Sequence, residues 1–475
     1  MKKKYCIVFL IVIVCNLLSP SLMKAQEIQP FQNGDRIAFV GNSITDGGYY
    51  HSYIWLYYMT HFPDRRIDIY NCGIGGDTSE DMYRRLDRDV LSRNPNVLTL
   101  SFGMNDTGFS NYGSDSTSLI LEERKVRSLF YFFKIADKLS KIPNLRPIMI
   151  GSSPYDETTK FNGFSLPGKN AAIRDIISAQ RKETKIHKWD FIDFNEPLSN
   201  LALAFQKQDP NFSICDVDRI HPDNYGHMFM AALFLQAQGF AGRPVSRIVL
   251  NGRKVNLILA DNCRVSDIKR NKQGISFEYQ AYSLPYPLDT VPHNGKFCHP
   301  QSEIRKLMPD FDRKFNLESL EVSRLKGQYE LWIDSVKLGV FSADSLEHGV
   351  NMALLTQSPQ YQQAQTIMLM NEQRWNVERK FRDYEWLRYH FFLHHGITDI
   401  DSDEAQEVFN RYKNEDFWVK TKSDLYAEMR HEYIRNFYAL EIKHIIERIY
   451  KINKPKIHCI RLVKNNELEK IKNND

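Results

Sequence analysis

The sequence predicts an α/β protein in which helices cover both faces of a parallel sheet, followed by a small β-rich module and a mainly helical C-terminal region. Three observations carry this reading. Short apolar, β-branched runs alternate with amphipathic helical stretches through the first half of the chain. Each run ends in a polar, glycine-containing turn. From about Pro244 the texture changes, first to short strands separated by turns and then to helical periodicity. The expected division is a leader over residues 1–25, an α/β domain over 26–243, the β-rich module over 244–354 and the helical region over 355–475.

The leader places Lys2, Lys3 and Lys4 ahead of an almost continuously apolar stretch from Cys6 to Leu18, with the small residue Ala25 before Gln26. That is the layout of a secretory signal, too short to favour a membrane span. Cys15 stands where a lipoprotein cysteine would, but Val14 precedes it where a small residue is expected, which argues against lipidation. The leader carries four of the lysines behind the formal charge of +5 and no acid. The remaining chain is close to neutral and offers no electrostatic case for nucleic acid or an anionic membrane. Cys72, Cys215, Cys263, Cys298 and Cys459 are an odd, scattered set with no zinc-type spacing; one bridge, Cys263 to Cys298, is compatible with export.

Arg36 to Val40 reads as the first buried strand and runs into Gly41-Asn42-Ser43. The turn holds a serine at a strand's carboxyl edge, where ligands bind in open α/β sheets. Taken alone, such a serine is more often an ordinary turn residue than a nucleophile. The aromatic stretch Tyr49 to Tyr58 has helical spacing and is expected in the core. Arg66 to Tyr70 alternates as a second strand and leads into Asn71-Cys72-Gly73-Ile74-Gly75-Gly76-Asp77-Thr78. Its glycines allow backbone to approach a ligand, and Asp77 or Thr78 can cap the helix that follows, where Met82, Leu86 and Val90 recur. Free N–H groups at such a helix start suit an anion or oxyanion.

Val97 to Phe102 is a third strand, ending in Gly103-Met104-Asn105-Asp106. An amphipathic helix from about Ser118 to Lys141, a strand at Pro147 to Gly151, a helix at Lys169 to Arg181 and a strand near Lys188 to Phe194 continue the alternation. Asp218 and His221 then stand three apart on a loop, ahead of a helix from about Asn224 to Gly239. At that spacing the carboxylate can accept a hydrogen bond from one imidazole nitrogen, fixing the tautomer and leaving the other nitrogen for a nucleophile.

Together, Gly41-Asn42-Ser43, the Gly73 to Thr78 segment, Gly103-Met104-Asn105-Asp106 and Asp218-Arg219-Ile220-His221 resemble the four blocks of the SGNH/GDSL hydrolase family, in order. The resemblance implies a flavodoxin-like three-layer α/β/α domain and an esterase site. Ser43 would be the nucleophile, His221 its base and Asp218 the residue orienting that base. The oxyanion donors would be the N–H groups of Ser43 and Gly76 and the side-chain amide of Asn105. One departure stands out, Asn42 where the family usually has aspartate. The order Ser, Asp, His excludes chymotrypsin-like and subtilisin-like arrangements, and Gly41-Asn42-Ser43-Ile44-Thr45 is not a Gly-x-Ser-x-Gly elbow. No metal or organic cofactor is required.

In the β-rich module, Ile248 to Leu259 carries an Asn251-Gly252 turn signal, Gly274 to Tyr279 reads as a strand, and Gly327 to Ile333 pairs with Leu338 to Phe341 across Asp334-Ser335. The phrases Ser283-Leu284-Pro285-Tyr286-Pro287-Leu288 and Phe341 to Leu346 resemble the C-terminal extension of a bacterial subgroup of SGNH-like hydrolases. In the helical region, Met370, Val377, Phe381, Tyr384, Leu387 and Phe391 form one apolar stripe, and Met429, Tyr433, Phe437 and Leu440 another. Trp386, His394 and His395 read as core packing and helix ends. The tail after Arg461 reads as frayed.

The function this reading favours is an exported serine esterase, periplasmic or secreted, that removes small acyl groups, above all acetyl, from carbohydrate. The alternatives are a lipase, thioesterase or lysophospholipase using the same site on longer acyl chains, and a non-catalytic carbohydrate-binding protein on a hydrolase scaffold. The expected partner is an acylated carbohydrate, with no nucleic acid and no stable membrane insertion.

Overall fold

A computed structural model describes residues 27–112, 117–161, 165–215, 217–293 and 299–465. The leader, Cys15 within it and Cys298 of the candidate bridge lie outside those residues. Cys72, Cys215, Cys263 and Cys459 are free thiols.

The first domain is built on strands β1 (Arg36–Gly41), β2 (Asp68–Gly73), β3 (Val97–Phe102), β4 (Arg146–Gly151) and β5 (Asp190–Asp193). All neighbours are parallel and the order is β2-β1-β3-β4-β5. This is the flavodoxin-like order, whose switch point lies between β1 and β3. The turn carrying Ser43 leaves β1 there, and the Gly103–Asp106 segment leaves β3. β2 begins at Asp68, later than the alternating pattern indicates, because its register with β1 runs from Arg36 opposite Asp68 to Gly41 opposite Gly73. The helix Tyr49–His61 is buried at every residue. It packs between the sheet, the helix Asn224–Ala237 and the long C-terminal helix Pro359–Leu387, which explains aromatic residues on all its sides.

The β-rich region contains β6 (Ser246–Asn251), β7 (Asn256–Asp261), β8 (Cys263–Asn271), β9 (Gly274–Ala281), β10 (Glu318–Ser323), β11 (Gln328–Ile333), β12 (Val336–Ser342) and β13 (Val350–Asn351), joined by β14 (His458–Lys464). They form two sheets, β13-β10-β6-β7 and β12-β11-β14-β9-β8. Ile248, Phe277, Leu320, Leu331 and Leu462 from both sheets meet in one core. The tail is therefore ordered through Lys464: β14 fills the gap between β9 and β11 and is antiparallel to both. A strand with two partners gains a full ladder of hydrogen bonds, which its place in a lysine-rich tail does not advertise.

Two segments tie the later regions to the first domain. The Ser283–Leu288 phrase lies along the helix Tyr49–His61: Leu284 N–H donates to Thr60 O (2.8 Å), Ser283 Oγ to His61 O (2.9 Å) and Tyr286 Oη to Tyr53 O (3.3 Å). The helices Pro359–Leu387 and Glu432–Ile452 contribute Ile367, Met368, Trp375, Ile445 and Ile449 to the first domain's core. A separate small core holds Tyr384, Leu387, Phe391, Phe392, Phe409, Tyr426 and Met429. Tyr433, Phe437 and Leu440 are instead 68%, 61% and 54% exposed, because the Glu432–Ile452 helix turns its Ile445, Ile446 and Ile449 face inward.

The β14 arrangement makes a direct prediction. Leu462 is fully buried between the sheets, whereas Cys459 is exposed. Leu462→Ala should lower stability by about 2–5 kcal/mol in urea unfolding, and Cys459→Ser should change it by less than about 0.5 kcal/mol.

Candidate active site

Asn42 caps a single helical turn, Ser43–Asp46: its Oδ1 accepts Ile44 N–H at 3.1 Å, and its carbonyl accepts Thr45 N–H and Asp46 N–H at 3.0 and 2.8 Å. That turn fixes Ser43 at the end of β1. Ser43 Oγ lies 2.7 Å from His221 Nε2, and His221 Nδ1 lies 2.5 Å from Asp218 Oδ2. Asp218 Oδ1 also accepts the N–H groups of Ile220 and His221, at 2.8 and 3.0 Å. Burial opposes ionisation of Asp218, but the His221 ring and these two N–H groups hold its carboxyl below the usual range. With Nδ1–H donated to Asp218, Nε2 is the acceptor for the Ser43 hydroxyl proton.

The Gly73–Thr78 loop runs beside Ser43. A Cβ at Gly73 would meet Asp46 N at 2.2 Å, so only glycine permits this approach. Gly75 N–H donates to Asp46 Oδ2 at 3.1 Å, and Gly76 then turns the chain with φ of +88°. Burial pushes the Asp46 carboxyl up to about 6, opposed by Arg382. Among the described residues, no acceptor engages the N–H of Ser43 or of Gly76. Asn105 Nδ2 donates one proton to Asp77 O at 2.9 Å, which aims the amide. Thr78, not Asp77, caps the helix Ser79–Arg85, in a reciprocal pair with Asp81.

Asp77 belongs to a buried network that the sequence reading does not contain. Arg85 donates from Nε to Asp77 (2.6 Å), from NH1 to Asp89 (2.6 Å) and from NH2 to Gly41 O (3.2 Å) and Cys72 O (2.8 Å). Arg382, on the C-terminal helix, donates from NH1 and NH2 to Asp89 at 2.9 and 2.6 Å and from Nε to Gly73 O at 3.0 Å. Burial alone would neutralise Asp89, yet the two guanidiniums hold its carboxyl far below the usual range. The same helix supplies Trp375 Nε1 to Gly47 O (2.9 Å), Arg379 to Gly47 O (3.1 Å), Glu378 as acceptor for Asn71 N–H (3.1 Å) and Trp386 Nε1 to Gly75 O (3.0 Å). His390, in the turn beyond it, reaches Asp77 Oδ1 at 2.9 Å. Trp386 packs against the small helical core, as its apolar stripe indicates, and its indole N–H also reaches a site loop. His394 and His395 are exposed at a helix end.

A cavity of about 230 Å³ is lined by Ser43, Tyr49, His221, Asn224, His293 and Arg379. A second, of about 400 Å³, is lined by Asn105, Thr78, Arg124, Arg127, Ser128 and His394. At the first, Asp289, His293 and Glu372 bring potential metal-ligating atoms within 4.8 Å of one another. His293 Nε2 is 2.5 Å from Asp289 and 3.4 Å from Glu372. Hydrogen bonds to Asp289 and Glu372 raise the His293 ring to about 9, so at neutral pH an imidazolium supplies the positive charge between the two carboxylates. No described helix is long and apolar enough to cross a membrane.

A Ser-His-Asp line on the switch-point edge of a five-stranded flavodoxin-like sheet defines a hydrolase of the SGNH class. The family model described as GDSL-like Lipase/Acylhydrolase family matches residues 39–229, and one described as Diltiazem deacetylase C-terminal helical domain matches residues 365–454. The solved structure of a gut microbial diltiazem-metabolizing enzyme is 44% identical, covers 93% of this chain and 100% of that chain, and superposes with a TM-score of 0.90. An acetylxylan esterase of Geobacillus stearothermophilus is 24% identical over 244 residues, 44% of this chain and 95% of that protein. The chain belongs to the GDSL-like lipase/acylhydrolase family, as its four sequence blocks imply.

Asp89→Asn would leave Arg85 and Arg382 buried without their shared carboxylate. It should cost about 3–5 kcal/mol in chemical denaturation, whereas Arg93→Ala, at the half-buried edge of the network and leaving Arg85 and Arg382 on Asp89, should cost less, about 1–2 kcal/mol. His293 provides a pH signature. Because its pKa is raised from 6.5 to about 9, its contribution to stability is complete below pH 6.5 and disappears as pH rises through 9. The melting temperature should fall more steeply across that window in the wild type than in His293→Gln.

Proposed function

We propose that the chain is an exported serine esterase that hydrolyses acetyl esters, acting on carbohydrate alcohols. The observation that carries the chemistry is the continuous line from Ser43 Oγ through His221 to Asp218, at 2.7 and 2.5 Å, beside N–H groups that have no other acceptor among the described residues. Ser43 attacks the ester carbonyl as His221 Nε2 takes its proton, and Asp218 stabilises the imidazolium that forms. The N–H groups of Ser43 and Gly76 and the second N–H of Asn105 receive the developing oxyanion. His221 then protonates the leaving alcohol, and water repeats the sequence to release acetate. Every proton transfer in this scheme has a partner in the chain, so the chemistry requires no cofactor or metal.

The acetyl preference draws support from the acetylxylan esterase relative and from the second family model, the diltiazem deacetylase domain, both named for acetyl removal. The cavity of about 230 Å³ beside Ser43 is in keeping with a small acyl group. The carbohydrate reading rests on the acetylxylan relative and on the secretory layout of Lys2 to Ala25. A second reading, a small-molecule acetate in place of the glycan, is favoured by the similarity to the diltiazem-metabolizing enzyme along the whole chain.

Acetate release measured in parallel from acetylated xylooligosaccharides and from diltiazem separates the two readings. The first predicts the higher kcat/KM on the oligosaccharides; a preference for diltiazem favours the second. With 4-nitrophenyl esters of C2 to C12 acids, turnover should peak at C2, and a peak at C8 or longer would overturn the acetyl assignment. Ser43→Ala should abolish release in every case.

A further inference from the structure

We infer that Trp386, from the C-terminal helix, is a positioning residue for the oxyanion site: its indole N–H holds and polarises the peptide that presents the Gly76 N–H. The inference rests on the proposed role of Ser43 and Gly76 and adds a residue that the four sequence blocks do not contain. A peptide unit is planar and trans, so the carbonyl of Gly75 and the N–H of Gly76 belong to one rigid plane and point in opposite directions. Trp386 Nε1 donates to that carbonyl at 3.0 Å. Fixing the oxygen therefore fixes where the N–H on the far side aims. Donation to the carbonyl also draws electron density from the amide nitrogen and makes its N–H a stronger donor.

The surroundings give this hydrogen bond a defined geometry. Gly75 is held on its other side by Asp46, which accepts Gly75 N–H at 3.1 Å. A Cβ built on Gly75 would lie 3.9 Å from both Ser43 Cβ and Trp386 Cδ1, so this residue is flanked by the nucleophile and the indole. Gly76 itself, at φ of +88°, has no side chain to stiffen its backbone, and without Trp386 the peptide before it has no other donor on its carbonyl among the described residues. The indole is itself held: His390 stacks on it at 5.4 Å between ring centroids, and the Lys422 ammonium lies 5.2 Å from its centre. His390 in turn reaches Asp77, whose carbonyl accepts the Asn105 amide. Trp386 at the end of the C-terminal helix and His390 in the turn beyond it thus bear on two of the three oxyanion donors, and most directly on Gly76.

Trp386→Phe removes the donor and keeps an aromatic ring of similar packing. Using 4-nitrophenyl acetate, the variant should lose about tenfold in kcat, less than the loss from deleting an oxyanion donor outright, because Gly76 N–H remains but is misaligned. KM and the pH profile should stay within twofold of wild type, because the ground-state ester and His221 do not depend on this bond. Inhibition by methylboronic acid, whose tetrahedral adduct on Ser43 places an oxygen among the same donors, should weaken by a similar factor. The melting temperature reports on folding separately. An unchanged kcat and unchanged boronate inhibition, or losses matched by a rise in KM and a shifted pH profile, would overturn the role of Trp386. Ser43→Ala run alongside keeps the two readings distinct: activity surviving in that variant refutes the serine mechanism, whereas an inactive Ser43→Ala with a fully active Trp386→Phe refutes only the positioning role.

Discussion

The structure depends on a charge balance centred on Asp89. At the carboxyl ends of β1 and β2 the chain leaves the ladder to form the Ser43 turn and the glycine loop, and the carbonyls of Gly41, Cys72 and Gly73 take side-chain donors there, Gly41 O in addition to Ile74 N–H at 3.1 Å. Two buried arginines provide them: Arg85 reaches Gly41 O and Cys72 O, and Arg382 reaches Gly73 O. A buried guanidinium is costly unless it is neutralised, and Asp77 and Asp89 neutralise these two, with Asp89 shared by both. The positions of Ser43 and Gly76 therefore follow from an ion network in which each member is intolerable without the others.

Since Arg382 comes from the helix Pro359–Leu387, the site is not complete within the first domain. The helix donates to the carbonyls of Gly47, Gly73 and Gly75 and accepts from Asn71 N–H, touching both loops that frame Ser43. Its Ile367, Met368 and Trp375 also lie in the first domain's apolar core. The two matched segments, 39–229 and 365–454, are thus physically one unit at the site. The β-rich region between them serves as the route by which the chain reaches that position, with β14 closing the path behind it. Similarity runs along 93% of the chain to the diltiazem-metabolizing enzyme and over 44% of it to the acetylxylan esterase.

What could be read from the sequence was local. The strands end where apolar runs meet glycine, and the four polar blocks carry Ser43, Gly76, Asn105, Asp218 and His221 because each block is short and its neighbours in sequence are its neighbours in space. Asp89 and Arg382 are 293 positions apart, and a charged residue destined for a buried pair has the same local signature as one on a solvated face. Trp386 was half legible: its place on an apolar stripe marks it for the small helical core, against which it packs, but periodicity does not show that its indole N–H also reaches a site loop. Likewise Tyr433, Phe437 and Leu440 repeat at helical spacing yet face solvent, and β14 hides in a basic tail because its stability comes from two partner strands.

Asn42, where the family pattern has aspartate, is explained by the same electrostatics. The position is 3% exposed, and its side chain acts as a helix cap on Ile44 N–H. Asparagine and aspartate cap about equally well. They differ in what they bury. The neighbouring carboxylates Asp77 and Asp89 are each matched to guanidiniums, and Asp46 already has its pKa raised to about 6 by burial. A further carboxylate at residue 42 would enter this setting with a single backbone N–H as its partner among the described residues and no guanidinium of its own, so its ionised form would be penalised. The amide keeps the acceptor that shapes the Ser43 turn and removes the charge, and the geometry of the nucleophile is preserved without an additional ion to neutralise.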